Sequence, residues 1–390
     1  MRIAINAWFW NQPTAGSGQY TRRLVNHLVA LEPALEILLV APQGWGFQAN
    51  NFSSQNPNLE PETWRLQPEK GNLKKVWFEQ IAFPRACRQL AADAAHVPYW
   101  APPLAPAVPT LVTIHDLIPL LLREYRGGPR ARAYTALVAA AASSAALILT
   151  DSEASRQDIL THLQLPPEKV QTILLAAEAR YHPHSEPEDK EVRARYGLPP
   201  RYHLYLGGFD ARKNVATALR TYTWAGPVIG GECPLAVAGR LPAADTSFAP
   251  DPRRQAAEMG LDPRWVRFTD TVAETDKPAL YRGATAFLFP SRYEGFGLPP
   301  LEAMACGTPV VGSGATSLLE VVGGGGILLP PDDAEGMAGA LIQLAQDDDF
   351  REQLSQQALA QAGPFSWQRT ARETLAAYRQ VIERAQMGQS

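Results

Sequence analysis

At 390 residues the chain exceeds what one hydrophobic core usually serves, so two domains of roughly 150 to 200 residues are expected. A formal net charge of −3, with 46% apolar and 19% charged residues, is an ordinary soluble balance. No basic excess points to nucleic acid, and no charge block to a disordered tail.

The opening MRIAIN enters a strand pattern directly, with no secretory signal in view. RIAINAW, EILLVAP, AAHVPYW, TLVTIHD and ALILTDS read as buried strands. GQYTRRLVNHLVAL, WFEQIAFPRACRQLA and SEASRQDILTHL read as helices between some of them. This alternation predicts a parallel sheet covered on both faces. From Ala133 to Thr150 no residue is charged, which touches the ~18-residue length of a membrane span. The run is rich in alanine and broken by Ser143 and Ser144, so it reads as a small-residue helix followed by a strand. A Pro- and charge-rich stretch, 181–200, then reads as a linker.

The pattern restarts with HLYLGGF, PLAVAGR, VRFTD, AFLFPS, PVVGSG and GILLPP, a second doubly wound sheet. The last segment has helical spacing and predicts a long amphipathic helix over 367–390. The expected organisation is α/β: a first Rossmann-like domain over 1–180, the linker, and a second over 201–366. Facing each other, two such domains would place strand carboxyl ends around a shared central cleft, where open α/β sheets take ligands. The three cysteines, Cys87, Cys233 and Cys306, lack CxxC spacing, which argues for a reducing, cytoplasmic setting and against structural zinc.

SRYEGFGLPPLEAMACGTPVV, residues 291–311, carries most of the chemistry. A strand should end near Pro290, and PLEAMACG reads as a helix with Pro300 at or near its first turn. Gly295 and Gly297 let the backbone turn tightly beside that helix N-terminus, an arrangement that attracts phosphate. Glu294 would precede the loop and Glu302 would lie in the first helical turn. Carboxylates repel phosphate but accept hydrogen bonds from sugar hydroxyls. The pair therefore reads as hydroxyl clamps flanking a diphosphate, and the ligand implied is a nucleotide sugar. Glycosidases also use two carboxylates, but need no glycine loop between them. A capping glutamate beside an ordinary loop is the other reading.

LYLGGFDARKN, 204–214, is a strand, a glycine turn and a helix start bearing Arg212 and Lys213. Those cations could neutralise a departing diphosphate; a solvated face is the alternative. TAGSGQYTRRL, 14–24, offers Gly16 and Gly18 after the first strand, but Thr21 stands where a third glycine would complete GxGxxG. VTIHD puts His115 and Asp116 at a strand end. Asp347 to Asp349 read as a turn between surface helices rather than a metal motif.

These residues together resemble the signature of the retaining GT-B glycosyltransferases of family 4. EGFGLPPLEAMACGTPVV with its E-x7-E spacing, HVPYWAPP, VTIHDLIP, ILTDSEASRQDI, GGFDARKN and LAVAGR occur in that order along nearly the whole chain. GGFDARKN and VTIHDLIP look most like members that transfer mannose in surface-polysaccharide synthesis. The resemblance implies that Glu294 contacts donor-sugar hydroxyls, helped by the backbone of Gly295, Phe296, Gly297 and Leu298. It implies Glu302 at the ribose, Arg212 and Lys213 at the diphosphate, and Thr271 and Val272 at the base. It places His115 against the donor sugar and Gly16 with Gly18 near phosphates and acceptor. Members carry an arginine where this chain has Gly208; Arg212 would have to supply that charge. The implied reaction is hexosyl transfer with retention, from GDP-mannose or a UDP-glucose-type donor, with no metal or other cofactor. The acceptor would be a glycan or lipid-linked sugar. Arg123, Arg126, Arg130 and Arg132 could touch anionic lipid headgroups; a merely solvated loop is the alternative. A nucleotide-sugar epimerase on the same fold and a non-catalytic sugar-nucleotide binder are the competing classes.

Overall fold

Short runs such as ILLV, LILT, LAVA and AFLF lack the polar alternation of a half-exposed strand, and each is buried along its length. Strands buried on both faces are the mark of parallel sheets with helices on either side. The computed structural model describes residues 1–12, 15–42, 59–64 (as backbone) and 73–388. Thr14 of the glycine-rich segment, and positions 389 and 390 of the expected terminal helix, lie outside the described residues. The chain forms two units: Met1–Leu175 with Ser366–Ser390, and Ala176–Phe365.

The first unit holds β1 (Arg2–Asn6), β2 (Glu36–Pro42), β3 (Leu59–Trp64), β4 (Ala94–Val97), β5 (Thr110–Thr113), β6 (Leu147–Thr150) and β7 (Val170–Thr172). They are ordered β3-β2-β1-β4-β5-β6-β7, all parallel. The apolar pattern does not predict β3 or β7. Strand order reverses between β1 and β4, the crevice where such sheets bind ligands. The uncharged run 133–150 resolves into the end of a helix (Pro129–Ala141), a 3-10 turn (Ala142–Ser144) and β6. Among the described residues no helix is long and apolar enough to cross a membrane.

The terminal helix, Trp367–Met387, begins at Ser366, whose hydroxyl accepts the Arg369 N–H, a standard N-cap. It is built into the first unit. Thr370 donates to the Leu174 carbonyl at 2.7 Å, and the Tyr378 hydroxyl meets His96 Nδ1 at 2.7 Å.

The second unit holds β8 (His203–Leu206), β9 (Leu235–Ala238), β10 (Val266–Asp270), β11 (Ala286–Phe289), β12 (Val310–Ser313) and β13 (Gly326–Leu329). They are ordered β10-β9-β8-β11-β12-β13, again all parallel. Its reversal lies between β8 and β11. Phe287 and Phe289 stack at 5.5 Å and are at most 1% exposed; burying each stabilises the strand by about 1.5–3 kcal/mol. The stretch 181–200 is more than a tether. It contains the helix Asp189–Arg195 and belongs to the second unit. Its Asp189 forms a buried bidentate pair with Arg282 (2.5 and 2.8 Å), while Arg195 and Tyr196 both reach Asp276 at 2.8 Å.

Candidate active site

Two loops in the second unit, after β8 and β11, meet across its strand-order reversal. After β8 the chain turns through Gly207 and Gly208 into a 3-10 turn, Ala211–Lys213. Asn214 then takes a left-handed conformation, φ +54°, which asparagine tolerates better than most residues. Its side-chain amide donates to the Pro290 carbonyl (3.1 Å) and the Pro331 carbonyl (2.7 Å), tying the turn to the end of β11. The Arg292 N–H donates to the Arg212 carbonyl at 2.9 Å, so the cation-bearing turn is bonded to the glutamate loop.

That loop reaches the helix Leu298–Ala305 through Gly297, at φ +115°. A Cβ there would be strained and only 2.8 Å from Leu318 Cδ2, so glycine is required. Ser317 holds the carbonyls of Glu294 (2.9 Å) and Phe296 (2.6 Å), and the Thr316 hydroxyl accepts the Glu294 N–H (3.0 Å). The Phe296 ring is buried against Phe365. Leu298 opens the helix. Glu302 is its fifth residue, so it sits in the second turn and not the first as expected. It is 7% exposed and accepts the Tyr281 hydroxyl at 3.3 Å.

The charges converge on Glu294. Lys213 Nζ lies 2.7 Å from one carboxylate oxygen, Arg212 Nη1 lies 2.6 Å from the other, and Ser291 donates at 2.6 Å. Burial pushes the Glu294 carboxyl up, but Lys213 and Arg212 outweigh it and hold it below the usual carboxylate range. Arg212 also donates to the Tyr293 carbonyl (2.8 Å), and Lys213 lies 5.0 Å over the Phe289 ring. The sequence reading gives sugar hydroxyls to Glu294 and phosphate to the cations. The fold joins all three. Asn214, Ser291, Thr316 and Ser317, which hold this cluster, were not singled out. Ser291 and Thr316 carry one sequence signal, a polar side chain two residues beyond a strand end or a glycine; Asn214 and Ser317 carry none.

Thr271 and Val272 follow β10, where a register shift puts Asp270 at φ +56°. Their loop is anchored by the Ala273 N–H bonding the Tyr196 hydroxyl at 3.1 Å. Gly208 leaves open space: a Cβ would meet only Asp210 Oδ2, at 3.1 Å.

In the first unit His115 follows β5. Its Nδ1 is 2.5 Å from Asp151 Oδ2 and the edge of Tyr20 packs at 4.9 Å. Burial would lower the imidazole pKa, but the Asp151 charge and hydrogen bond raise it above the ordinary value. Gly16 and Gly18 open the helix Gly16–Leu31 and differ in kind. A Cβ on Gly18 would lie 2.4 Å from the carbonyls of Phe9 and Gln12, whereas one on Gly16 would meet nothing within 4 Å. A cavity of about 240 Å³ opens beside His115 and Ser17.

Among the described residues no group of three or more His, Cys, Asp or Glu is placed to hold a metal ion. Asp347 caps the helix Asp348–Ala362 by accepting the Phe350 N–H. All three cysteines are buried and free. Arg123, Arg126, Arg130 and Arg132 are exposed.

Residues 14–176 match Glycosyltransferase Family 4 and residues 200–347 match Glycosyl transferases group 1. The chain is 33% identical to the O-antigen chain mannosyltransferase B of Escherichia coli, over 94% of this chain and 96% of that protein. It is 30% identical to the serotype-specific mannosyltransferase WbdA of Escherichia coli, over 71% of this chain but 34% of that longer protein. In fold it resembles the sucrose-phosphate synthase of Thermosynechococcus elongatus, with a TM-score of 0.73, 21% identity, and coverage of 98% and 99% of the two chains.

Proposed function

This chain belongs to the group 1 glycosyltransferases of family 4, and from that premise we propose that it moves mannose from GDP-mannose to a glycan acceptor in cell-surface polysaccharide synthesis. That it is a glycosyltransferase follows from the family; the donor, the stereochemistry and the acceptor are our reading. The observation that carries the reading is the junction of Arg212 and Lys213 with Glu294 beside a glycine-opened helix N-terminus. The names of the two Escherichia coli relatives support mannose and an O-antigen type of product.

In this proposal the diphosphate sits at the N-terminus of the helix Leu298–Ala305, where backbone N–H groups and the helix dipole favour negative charge. As the bond from the anomeric carbon to the diphosphate oxygen breaks, Arg212 and Lys213 take up the developing charge. Glu294, released from part of its ion pairing, accepts hydrogen bonds from the sugar hydroxyls, and Glu302 does the same for the ribose. The acceptor oxygen bonds the anomeric carbon on the face the diphosphate leaves, and the departing diphosphate takes the acceptor proton. The configuration is thereby retained. Thr271 and Val272 border the base, and His115 meets the transferred sugar. The reaction belongs in the cytoplasm, with exposed Arg123, Arg126, Arg130 and Arg132 giving peripheral contact with anionic lipid.

A thermal-shift panel of GDP, UDP and ADP with their common sugars tests the donor. Ligands that bind only the folded state raise the melting temperature. The expected result is a shift for GDP and GDP-mannose that Lys213→Ala and Glu302→Ala abolish. A shift for UDP alone would overturn the donor assignment. Product NMR then reads retention or inversion directly.

A further inference from the structure

The stretch 181–200 reads as a linker but is built as a brace within the second unit. Its helix, Asp189–Arg195, packs on a second short helix, Lys277–Gly283. Asp189 holds Arg282 through two bonds of 2.5 and 2.8 Å, and the two side chains are 8% and 7% exposed. A bidentate pair of this kind fixes orientation as well as distance. Asp276, just before the second helix, accepts from both Arg195 and Tyr196 at 2.8 Å. The Tyr196 hydroxyl in turn accepts the Ala273 N–H at 3.1 Å, directly after Thr271 and Val272. One helix therefore anchors both the loop after β10 and the helix Lys277–Gly283.

That second helix carries Tyr281, whose side chain is fully buried. Its ring meets Phe287 of β11 edge-on at 5.3 Å and Tyr181 at 5.9 Å. Its carbonyl accepts the Thr308 hydroxyl at 2.6 Å, which ties it to the chain just beyond the helix Leu298–Ala305. A phenol oxygen lies on the axis of its ring, so fixing the ring fixes the oxygen. The oxygen is 3.3 Å from Glu302 Oε2.

Burial first, and the Glu302 charge next, raise the phenols of Tyr281 and Tyr181 above their ordinary value. Tyr281 thus stays protonated and donates to the carboxylate. The contact is longer than the ~2.7–2.8 Å usual for O–H···O. It aims the carboxylate without exhausting it, because an ionised carboxyl offers about four lone-pair positions. A glutamate left to rotate freely would lose that freedom on binding a ligand, at a cost in affinity. Holding it in place beforehand removes that cost.

We infer that Tyr281 is a positioning residue for Glu302, that the helix Asp189–Arg195 holds it in place through Arg282, and that together they set the preference of this site for ribose over a deoxy sugar. The inference rests on the reading that Glu302 takes the ribose hydroxyls, and it adds what makes that carboxylate selective. Tyr281 acts through Glu302 and does not itself touch the nucleotide.

Calorimetric titration with GDP and with 2′,3′-dideoxy-GDP tests this, with the corresponding UDP pair in parallel so that the base does not decide the result. The parent protein should bind the ribo form about ten-fold or more tighter than the dideoxy form, and Glu302→Ala should bring the ratio to about two-fold or less, because hydrogen bonds to a charged group are removed. Tyr281→Phe keeps the ring and its packing. It should lower the ratio by about three-fold or more through the ribo form alone, with the dideoxy affinity within about two-fold of the parent. Arg282→Met removes the guanidinium fork and should lower the ratio by about two-fold or more. Each ratio compares two ligands on one sample, so a partly folded variant does not distort it. A ratio lost in Glu302→Ala but intact in Tyr281→Phe would overturn the inference and leave the ribose reading standing. A ratio that survives Glu302→Ala, or no preference or no binding in the parent, would overturn both. Equal weakening of the two forms in Tyr281→Phe would mean a loosened fold instead of a turned carboxylate, and would also overturn the inference. An intact ratio in Arg282→Met would remove the brace from it.

Discussion

Lys213 Nζ rests 2.7 Å from Glu294 Oε1, and 81 residues of chain separate the two. With Arg212 on the other oxygen, the carboxylate partly neutralises the charges that would meet a diphosphate. A nucleotide must therefore compete with Glu294 for its cations. Glu294→Gln is expected to keep the shape and remove the competitor. GDP binding, by calorimetry, should tighten by about two- to ten-fold, while kcat/KM for the donor sugar falls by about 100-fold. Loss of GDP affinity in this variant would mean that Glu294 organises the cations instead of opposing the nucleotide. Lys213→Ala removes a charge-assisted bond and should weaken GDP by about 10- to 100-fold.

The two glycines at the start of the first helix should separate structure from function. Gly18→Ala drives a Cβ to 2.4 Å from two backbone carbonyls, and overpacking of this kind costs about 1–3 kcal/mol or more. Its melting temperature should fall by about 2–4 °C for each kcal/mol lost. Gly16→Ala has open space and should leave the melting temperature unchanged. Activity lost in Gly16→Ala at constant melting temperature would place a ligand against residue 16; full activity would remove it from the candidate site.

The family resemblance implies an arginine at the position of Gly208, and Arg212 is the proposed substitute. The space at Gly208 admits a side chain once Asp210 yields by a few tenths of an ångström. In the parent protein Arg212→Ala should weaken GDP by about ten-fold or more, and in a Gly208→Arg background by about three-fold or less. Equal losses in both backgrounds would show that the two positions serve different parts of the ligand.

Much of this could be read from the chain, and the boundary has a physical cause. Strands such as AFLF and LILT announce themselves because parallel sheets bury both faces. The E-x7-E spacing and the glycine loop are local, so they survive without tertiary information. The ion pairing of Glu294 with Arg212 and Lys213 is not local. It arises where the strand order reverses between β8 and β11, a feature of topology. Residues 181–200 read as a linker because they are charged and proline-rich, yet Asp189 finds Arg282 across 93 residues and the charge becomes structural. Glu79 lies in a predicted helix; only the fold shows it buried against Tyr134.

Two buried histidines give the protein an acid-sensitive term. His96 and His203 are fully buried, and burial above all lowers each from the ordinary value to about 3, with the neighbouring charges of His115 and Arg201 respectively adding to it. At His203 the hydrogen bonds set the tautomer: Tyr222 donates to the Cys233 carbonyl at 2.8 Å, so His203 Nδ1–H donates to Tyr222, also at 2.8 Å. Nε2 is left as a buried acceptor without a partner, with no stabilising contact for a proton. The unfolded chain takes up a proton at each histidine below about pH 6.5, while the folded chain refuses it until about pH 3. Stability from this source is complete above the unfolded value and is lost as pH falls, by about 1.4 kcal/mol per pH unit for each histidine. His115 runs the other way, because its raised pKa gives stability below the ordinary imidazole value that is lost as pH rises through the folded one. In urea titrations between pH 5.5 and 4, His203→Asn, which keeps a donor toward Tyr222, should reduce the slope of unfolding free energy against pH by about one proton. An unchanged slope would mean that His203 accepts a proton in the folded state, which its surroundings in β8 give it no partner to do.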